Sequence, residues 1–451
     1  MSLANLATEL LDQLKKKLMR TNRSSLSIAR VEIPVEGIDL LQFLNGQKAA
    51  ARIFWSRRDQ NERIAAIGAV HHLISNSPKI FQTIHHRLAA ADDGVRYFGG
   101  MRFDPSRPME EIWQPFAKYH FILPRFELIS NTDGGRLAIN FTVSPETDLA
   151  QLYKECRSEV EEWLLPPQPF AETALPAVIE CSEIPDREAW EMMVNSALDT
   201  IRKGDLTKIV LAGKTTLRLE KSVSPWLLLD YLLKKNGRTF HFGLQFNPRS
   251  AFIGMSPECL FERRDSTIFT EAVAATRPRG DSDEEDDRLA LEMRASDKDQ
   301  REHRLVQKMI LEKLTPLCRH IEQVTTEQVV KLTHVQHLLS EFSAELSQNV
   351  TDGHLILALH PTPAVGGFPG KQALEGIAQL EPFDRGWYAA PVGWISRREA
   401  EFAVAIRSAL VYGDCLEVYA GSGIVEGSDP QKEWEEKRNK TKNFMQLFGL
   451  E

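Results

Sequence analysis

The feature that most constrains the fold of this chain is a succession of short runs whose residues alternate between two faces. From Thr207 to Leu219, Ile209, Leu211, Thr215 and Leu217 share one face, while Lys208, Val210, Ala212 and Lys214 share the other. The spacing predicts further strands at Thr239–Gln245, Ala251–Met255, Cys259–Glu262, Trp387–Ile395, Glu401–Val411 and Cys415–Tyr419. Short turns such as Gly413-Asp414, between the last two runs, predict antiparallel pairing.

Between these runs lie helical patterns. Leu6, Leu10, Leu11, Leu14 and Leu18 open the chain at helical spacing. Trp190, Met193, Val194, Ala197 and Ile201 repeat that spacing, with Gly204 where a C-terminal cap belongs. Strand-like pieces at Ala51–Trp55 and Lys118–Leu123 belong to the first third. A proline-rich break at Leu165-Pro-Pro-Gln-Pro169 divides the chain into an N-terminal part, residues 1–165, and a longer region, residues 181–451, expected to form one compact unit with it. The acidic run Asp281–Asp287 reads as a solvated loop.

Two helical patterns carry acids where an apolar stripe is usual. Ser296-Asp-Lys-Asp299 resembles a capping box, after which Glu302, Val306 and Ile310 share a face, so Glu302 is expected to point inward. Near the C-terminus Asp429 is a plausible N-cap and Pro430 the first helical residue. Glu433, Glu436, Lys440, Phe444 and Leu447 then form one stripe. A buried salt bridge would account for Glu302, and the helix dipole for Glu433 and Glu436. Two inward acidic sites on separate helices also fit a hard cation such as Mg²⁺, which takes a few carboxylates, several waters and a substrate oxygen.

Composition excludes other classes. With a formal charge of −8 and no basic stripe, neither nucleic acid nor an anionic membrane is an expected partner. No apolar run is long enough to span a bilayer, and no charged segment followed by an apolar one opens the chain. The five cysteines are scattered without a C-x-x-C pair, which suggests neither a disulfide framework nor zinc and fits a reducing cytoplasm.

Glycine- and proline-rich turns at Gly254–Glu258, His360–Gly367 and Ala420–Val425 let backbone amides approach an anion. Arg407, inside the strand-like run Phe402–Ser408, needs a carboxylate partner if that strand is buried, whether from a ligand or from the chain. In this order, Lys208-Ile-Val-Leu-Ala212, Gly254-Met-Ser-Pro-Glu-Cys-Leu-Phe261, Arg301-Glu-His303, His360-Pro-Thr-Pro-Ala-Val-Gly-Gly367, Ala405-Ile-Arg407, Gly421-Ser-Gly-Ile-Val425 and Glu433-Trp-Glu-Glu436 resemble the signature of chorismate-binding enzymes. The resemblance covers Cys181 to Leu447.

It implies an α+β fold of two large, mostly antiparallel sheets packed together, with helices outside and the site between. It further implies that Lys208 is the general base and Glu258 the general acid, and that Glu302 and Glu436 hold Mg²⁺ with Glu433 close by. Arg407, Lys440, Tyr388, His360 and the amides around Gly421 and Gly423 would orient chorismate, with Ala274 and Thr276 in the substrate pocket. A lysine can act as a base near neutrality only if burial or nearby positive charge lowers its pKa.

Within the family, aminodeoxychorismate synthases carry lysine where this chain has Ala274. Anthranilate synthases usually show Pro-Ile-Ala-Gly-Thr where this chain has Glu271-Ala272 and, further on, Ala275 in place of glycine. Segments of the first third, Arg52–Asp59, Tyr97–Asp104 and Phe121–Phe126, look like isochorismate synthases of menaquinone-type pathways. The expectation is therefore a cytoplasmic, monomeric, Mg²⁺-dependent isochorismate synthase with no obligatory glutaminase subunit. Salicylate synthase, anthranilate synthase large subunit and a non-catalytic binding module are the alternatives.

Overall fold

The computed structural model describes residues 3–450 except 22–23, 164–166, 171–173, 236–237, 281 and 332–334. The side chains of residues 3, 4, 275, 276, 278, 298, 302 and 335 also lie outside the description. Two antiparallel sheets form its frame, of 12 and 10 strands among the described residues.

In the larger sheet the order runs Ser27–Val35, Gly134–Val143, Phe126–Asn131, Glu62–Ile67, Arg52–Ser56, Phe240–Asn247, Ser250–Ser256, Ser408–Tyr412, Cys415–Val425 and Lys208–Leu219. Gly367–Phe368 and Val178–Ile184 both pair with the last of these. The smaller sheet is ordered Cys318–Gln323, Val335–Leu346, Thr267–Pro278, Cys259–Arg264, Glu399–Val404, Pro391–Ser396, Arg96–Met101, Tyr119–Leu123 and His71–Ser75. Gln328–Lys331 pairs off this path.

Alternation along each strand decides what each face of the larger sheet packs against. Ile53, Trp55, Ile64 and Ala66 join residues of the smaller sheet, including Phe98, Phe121 and Phe402, in the core between the sheets. Their neighbours Phe54, Ala65 and Ile67 face the opposite way, against Leu6, Leu10 and Leu14 of the helix Leu3–Arg20 and Trp226 of Pro225–Lys235. Strands of the first third pair directly with strands of the remainder: Arg52–Ser56 with Phe240–Asn247, and Arg96–Met101 with Pro391–Ser396. Both parts of the sequence therefore share both sheets, while the proline-rich break lies partly outside the described residues.

Several expected elements take a different form. The run expected as one strand, Glu401–Val411, is two: Glu399–Val404 in the smaller sheet and Ser408–Tyr412 in the larger. Arg407 between them has φ +50, a left-handed conformation that ends regular pairing. Nor is the acidic run a loop. Asp283 to Asp286 form the first turn of the helix Asp283–Ala295, capped by Ser282, where the dipole favours their charge. Asp286 is buried there against Arg279 and Lys331. Trp387–Ala390 precede the strand Pro391–Ser396 as a turn, with Ala389 at φ +61.

Helix ends follow their caps. Asp186 accepts from the Ala189 amide at the start of Arg187–Arg202, and Gly204 beyond it has φ +87. Ser296 caps Asp297–Leu314 through the Asp299 amide, and Asp429 caps Pro430–Met445 through Lys432. The five cysteines are free, and no helix of the described residues is long and apolar enough to cross a membrane.

Candidate active site

The chain leaves the larger sheet at Ser256, crosses to the smaller at Cys259, and returns between Val404 and Ser408. These two crossings lie side by side. Met255 N–H donates to Arg407 O (3.0 Å), Val404 N–H to Glu258 O (3.1 Å), and Ser256 Oγ to Val404 O (2.6 Å). A sheet ladder cannot continue through such a crossing, so the side chains there face a space between the sheets instead of a neighbouring strand. Glu258 occupies one crossing and Arg407 the other, and both line a cavity of about 200 Å³.

Lys208, the first residue of its strand, enters the same cavity and is only 4 % exposed. Gly423 lies in register with Val210, diagonal to Lys208, and a Cβ there would come within 3.0 Å of Lys208 Cε. At Gly421 a Cβ would stand 3.1 Å from the Tyr388 hydroxyl. The two glycines keep room for these side chains, which accounts for the Gly-Ser-Gly pattern by close approach.

Glu258 is 8 % exposed. Burial raises its proton affinity and Glu271 adds to that effect; a hydrogen bond from Thr362 Oγ1 (3.2 Å) and the charges of Lys208 and Lys440 oppose it, leaving a pKa of about 7. Its carboxyl is therefore partly protonated near neutrality. Burial pulls the Arg407 guanidinium below its ordinary value, against Tyr388 and Glu436. Among the described residues Arg407 makes no ion pair, so the cavity holds a cation suited to a ligand carboxylate. Tyr388 stacks on Tyr419 at 5.4 Å, and burial raises its phenol pKa.

On the C-terminal helix Glu433, Glu436 and Lys440 all line the cavity, as their shared stripe implied. Burial pushes Glu436 up, but pairing with Lys440 (2.7 Å), Ser422 and Lys208 outweighs it and holds the carboxylate below its usual range. Glu436 is 42 % exposed, which places it toward solvent. Lys440 also donates to Gly421 O (2.9 Å). Glu433, raised mainly by burial, accepts from Ser422 and from Ser428 (2.8 Å).

Ala274 lines the cavity, and the ladder register shifts between it and Thr276, so Ala275 sits at a bulge. The side chains of Thr276 and Glu302 lie outside the description; Glu302 belongs to the helix Asp297–Leu314, whose Asp299 lines the cavity. His360 is placed differently from expectation. Its Nε2 meets Phe103 O at 2.9 Å, its ring lies edge-on to Phe103, burial lowers its pKa to about 4, and it is not among the lining residues. From the same motif Thr362, Ala364 and Val365 reach the site instead.

Sequence reasoning passed over Tyr419 and the support beneath Val210 and Val365. Arg385 donates to Val210 O (2.7 Å) and Val365 O (2.8 Å) while paired with Glu381, which accepts from Ala212 N–H (2.8 Å). Arg385 and Glu381 are 2 % and 0 % exposed. A charged pair four residues apart reads in sequence as a surface helix pair, so nothing in the pattern marked it as internal.

A family model described as chorismate binding enzyme matches residues 12–449. The chain is 34 % identical over 415 residues to isochorismate synthase, chloroplastic, of Catharanthus roseus, covering 89 % of this chain and 71 % of that one. To isochorismate synthase MenF of Escherichia coli it is 31 % identical over 448 residues, covering 98 % and 99 %. The solved structure of that menaquinone-specific Escherichia coli MenF superposes with a TM-score of 0.86 at 30 % identity, over 98 % of this chain and 99 % of that one. With a fold built on two antiparallel sheets, a cavity where the chain crosses between them, and a match along nearly its whole length, this protein belongs to the family of chorismate-binding enzymes.

Proposed function

We propose that this protein is an isochorismate synthase that converts chorismate reversibly to isochorismate, water entering at C2 as the C4 hydroxyl leaves. The observation that carries this reading is the pairing of Lys208 with a Glu258 whose pKa is about 7 in one cavity. Hydroxide is a poor leaving group, so departure needs a proton from a group still protonated near neutral pH, which Glu258 can supply. In the form in which its amine is neutral, Lys208 accepts a proton from the attacking water. Ala274 offers the cavity wall a methyl group and no amine, which speaks against a nucleophile supplied by the chain at that position and favours water. Arg407 and Lys440 supply positive charge for the substrate's carboxylates, and the Tyr388–Tyr419 stack bounds the ring. Similarity to synthases of the same name along nearly the full chain supports the same reaction.

Mg²⁺ is proposed as the cofactor. Among the described residues no three His, Cys, Asp or Glu side chains converge, but Mg²⁺ keeps several waters and needs only one or two carboxylates. Glu436, open toward solvent, Glu433 one turn away and Glu302 of the helix Asp297–Leu314 are oxygen donors of the right kind. Bound there, Mg²⁺ would offset a substrate carboxylate's charge.

The test is chromatography of the purified protein with chorismate and magnesium, without ammonium, beside a sample containing chelator. A mixture of chorismate and isochorismate that chelator abolishes is expected. Salicylate with pyruvate would make the protein a salicylate synthase, and product only with ammonium would make it an anthranilate-type synthase. Metal binding without turnover would leave a binding module.

A further inference from the structure

The crossing at Pro257-Glu258 has no ladder of its own, yet it must hold a buried carboxyl in one direction. Glu258's own peptide groups are met by Ser256 Oγ, which accepts from its N–H at 3.2 Å, and by Val404 N–H on its carbonyl. The peptide groups on either side are gripped from outside the crossing by one ion pair. Arg58 Nη1 donates to Pro257 O (3.1 Å), and Glu271 Oε1 accepts from Cys259 N–H (2.9 Å). Arg58 and Glu271 are joined bidentately, at 2.7 and 2.9 Å, a geometry that fixes direction as well as distance.

The two partners come from distant parts of the chain. Arg58 follows the strand Arg52–Ser56 of the first third, with its guanidinium 5.7 Å from the Phe240 ring. Glu271 lies in the strand Thr267–Pro278, two and three residues before Val273 and Ala274 of the cavity wall. Its side chain is 4 % exposed and that of Arg58 35 %.

We propose that Arg58 and Glu271 are positioning residues which, by clamping the peptide groups on both sides of Glu258, aim its carboxyl at the reacting oxygen. This rests on the reading of Glu258 as the acid. Neither residue lines the catalytic cavity, so they act through the turn and not on substrate. Glu271 has a second effect, through charge. The groups that act most strongly on Glu258 are the Thr362 hydroxyl, Glu271 from the strand Thr267–Pro278, Lys208 from the strand Lys208–Leu219 and Lys440 from the C-terminal helix; of these Glu271 alone raises its proton affinity beyond burial.

Two substitutions separate geometry from charge. Glu271→Gln keeps an acceptor for Cys259 N–H but removes the negative charge. It is expected to lower kcat roughly tenfold or more with KM changed less than about threefold. The limb of the pH profile nearest neutrality should move to lower pH, because Glu258 loses a charge that favours its protonated form. Arg58→Lys keeps the positive charge but cannot form the fork, so kcat is expected to fall while that limb stays in place. Both are measured on the full-length protein with chorismate and Mg²⁺, alongside thermal melts. Wild-type protein that does not turn over chorismate defeats the functional reading itself. If the wild type is active, a folded Glu271→Gln with unchanged kcat and an unmoved limb overturns the clamp. So does an active, folded Arg58→Lys with wild-type kcat, which decides the matter if Glu271→Gln does not fold.

Discussion

A carboxyl taken from water into a cavity wall holds its proton more tightly, and at Glu258 this sets both chemistry and stability. Replacing it by Gln removes the donated proton and is expected to lower kcat by about 10²–10⁴-fold in a protein that still folds. The same burial has a thermodynamic sign. Because the folded pKa of about 7 exceeds the ordinary 4.5, the folded state binds the extra proton. Stability is then undiminished below about 4.5 and falls as pH rises through 7. Glu258→Gln should therefore melt higher than wild type at pH 8, by an amount on the order of 1–3 kcal/mol, and show little gain at pH 4. Melts at the two pH values check this; equal gains at both would mean that burial does not set the proton affinity.

At the scale of elements, the site depends on strands and helices stopping where they do. The strand from Lys208 and its partner Cys415–Val425 can carry side chains into the cavity because Gly421 and Gly423 leave the space. Gly423→Ala is expected to push the Lys208 side chain aside, lowering kcat roughly 10–100-fold while leaving the melting temperature within a few degrees. Kinetics and melts on the same sample distinguish this from unfolding. Helix patterns were the most legible part of the sequence. The stripe of Glu433, Glu436 and Lys440, the caps at Ser296 and Asp429 and the terminating Gly204 rest on local geometry that a helix imposes wherever it sits. The run Glu401–Val411 was less legible. Its apolar alternation continues through the crossing, and the positive φ of Arg407 that breaks it has no mark in a non-glycine residue.

In the whole molecule, the larger sheet is tied to the segments around it by buried charges that sequence patterns do not reveal. The Arg385–Glu381 pair joins the Lys208 strand to the loop bearing Val365. Arg385→Ala would leave a buried carboxylate unpaired and is expected to cost about 3–5 kcal/mol. Urea unfolding checks that figure, and a loss under about 1 kcal/mol would remove the pair from the frame.

Local spacing along the sequence controls the alternation that makes strands and the caps that start helices. Through its ordered motifs the sequence also pointed to the family and to Lys208, Glu258, Arg407, Glu433, Glu436 and Lys440, all of which the fold brings to one cavity. Tertiary structure alone decided that His360 turns to Phe103 while Thr362 meets Glu258. It also brought Arg58 of the first third to Glu271 and to the carbonyl that precedes Glu258. The physical reason is that strand pairing and burial join residues hundreds of positions apart, and a buried group's proton affinity depends on that assembled surrounding, to which no local pattern responds.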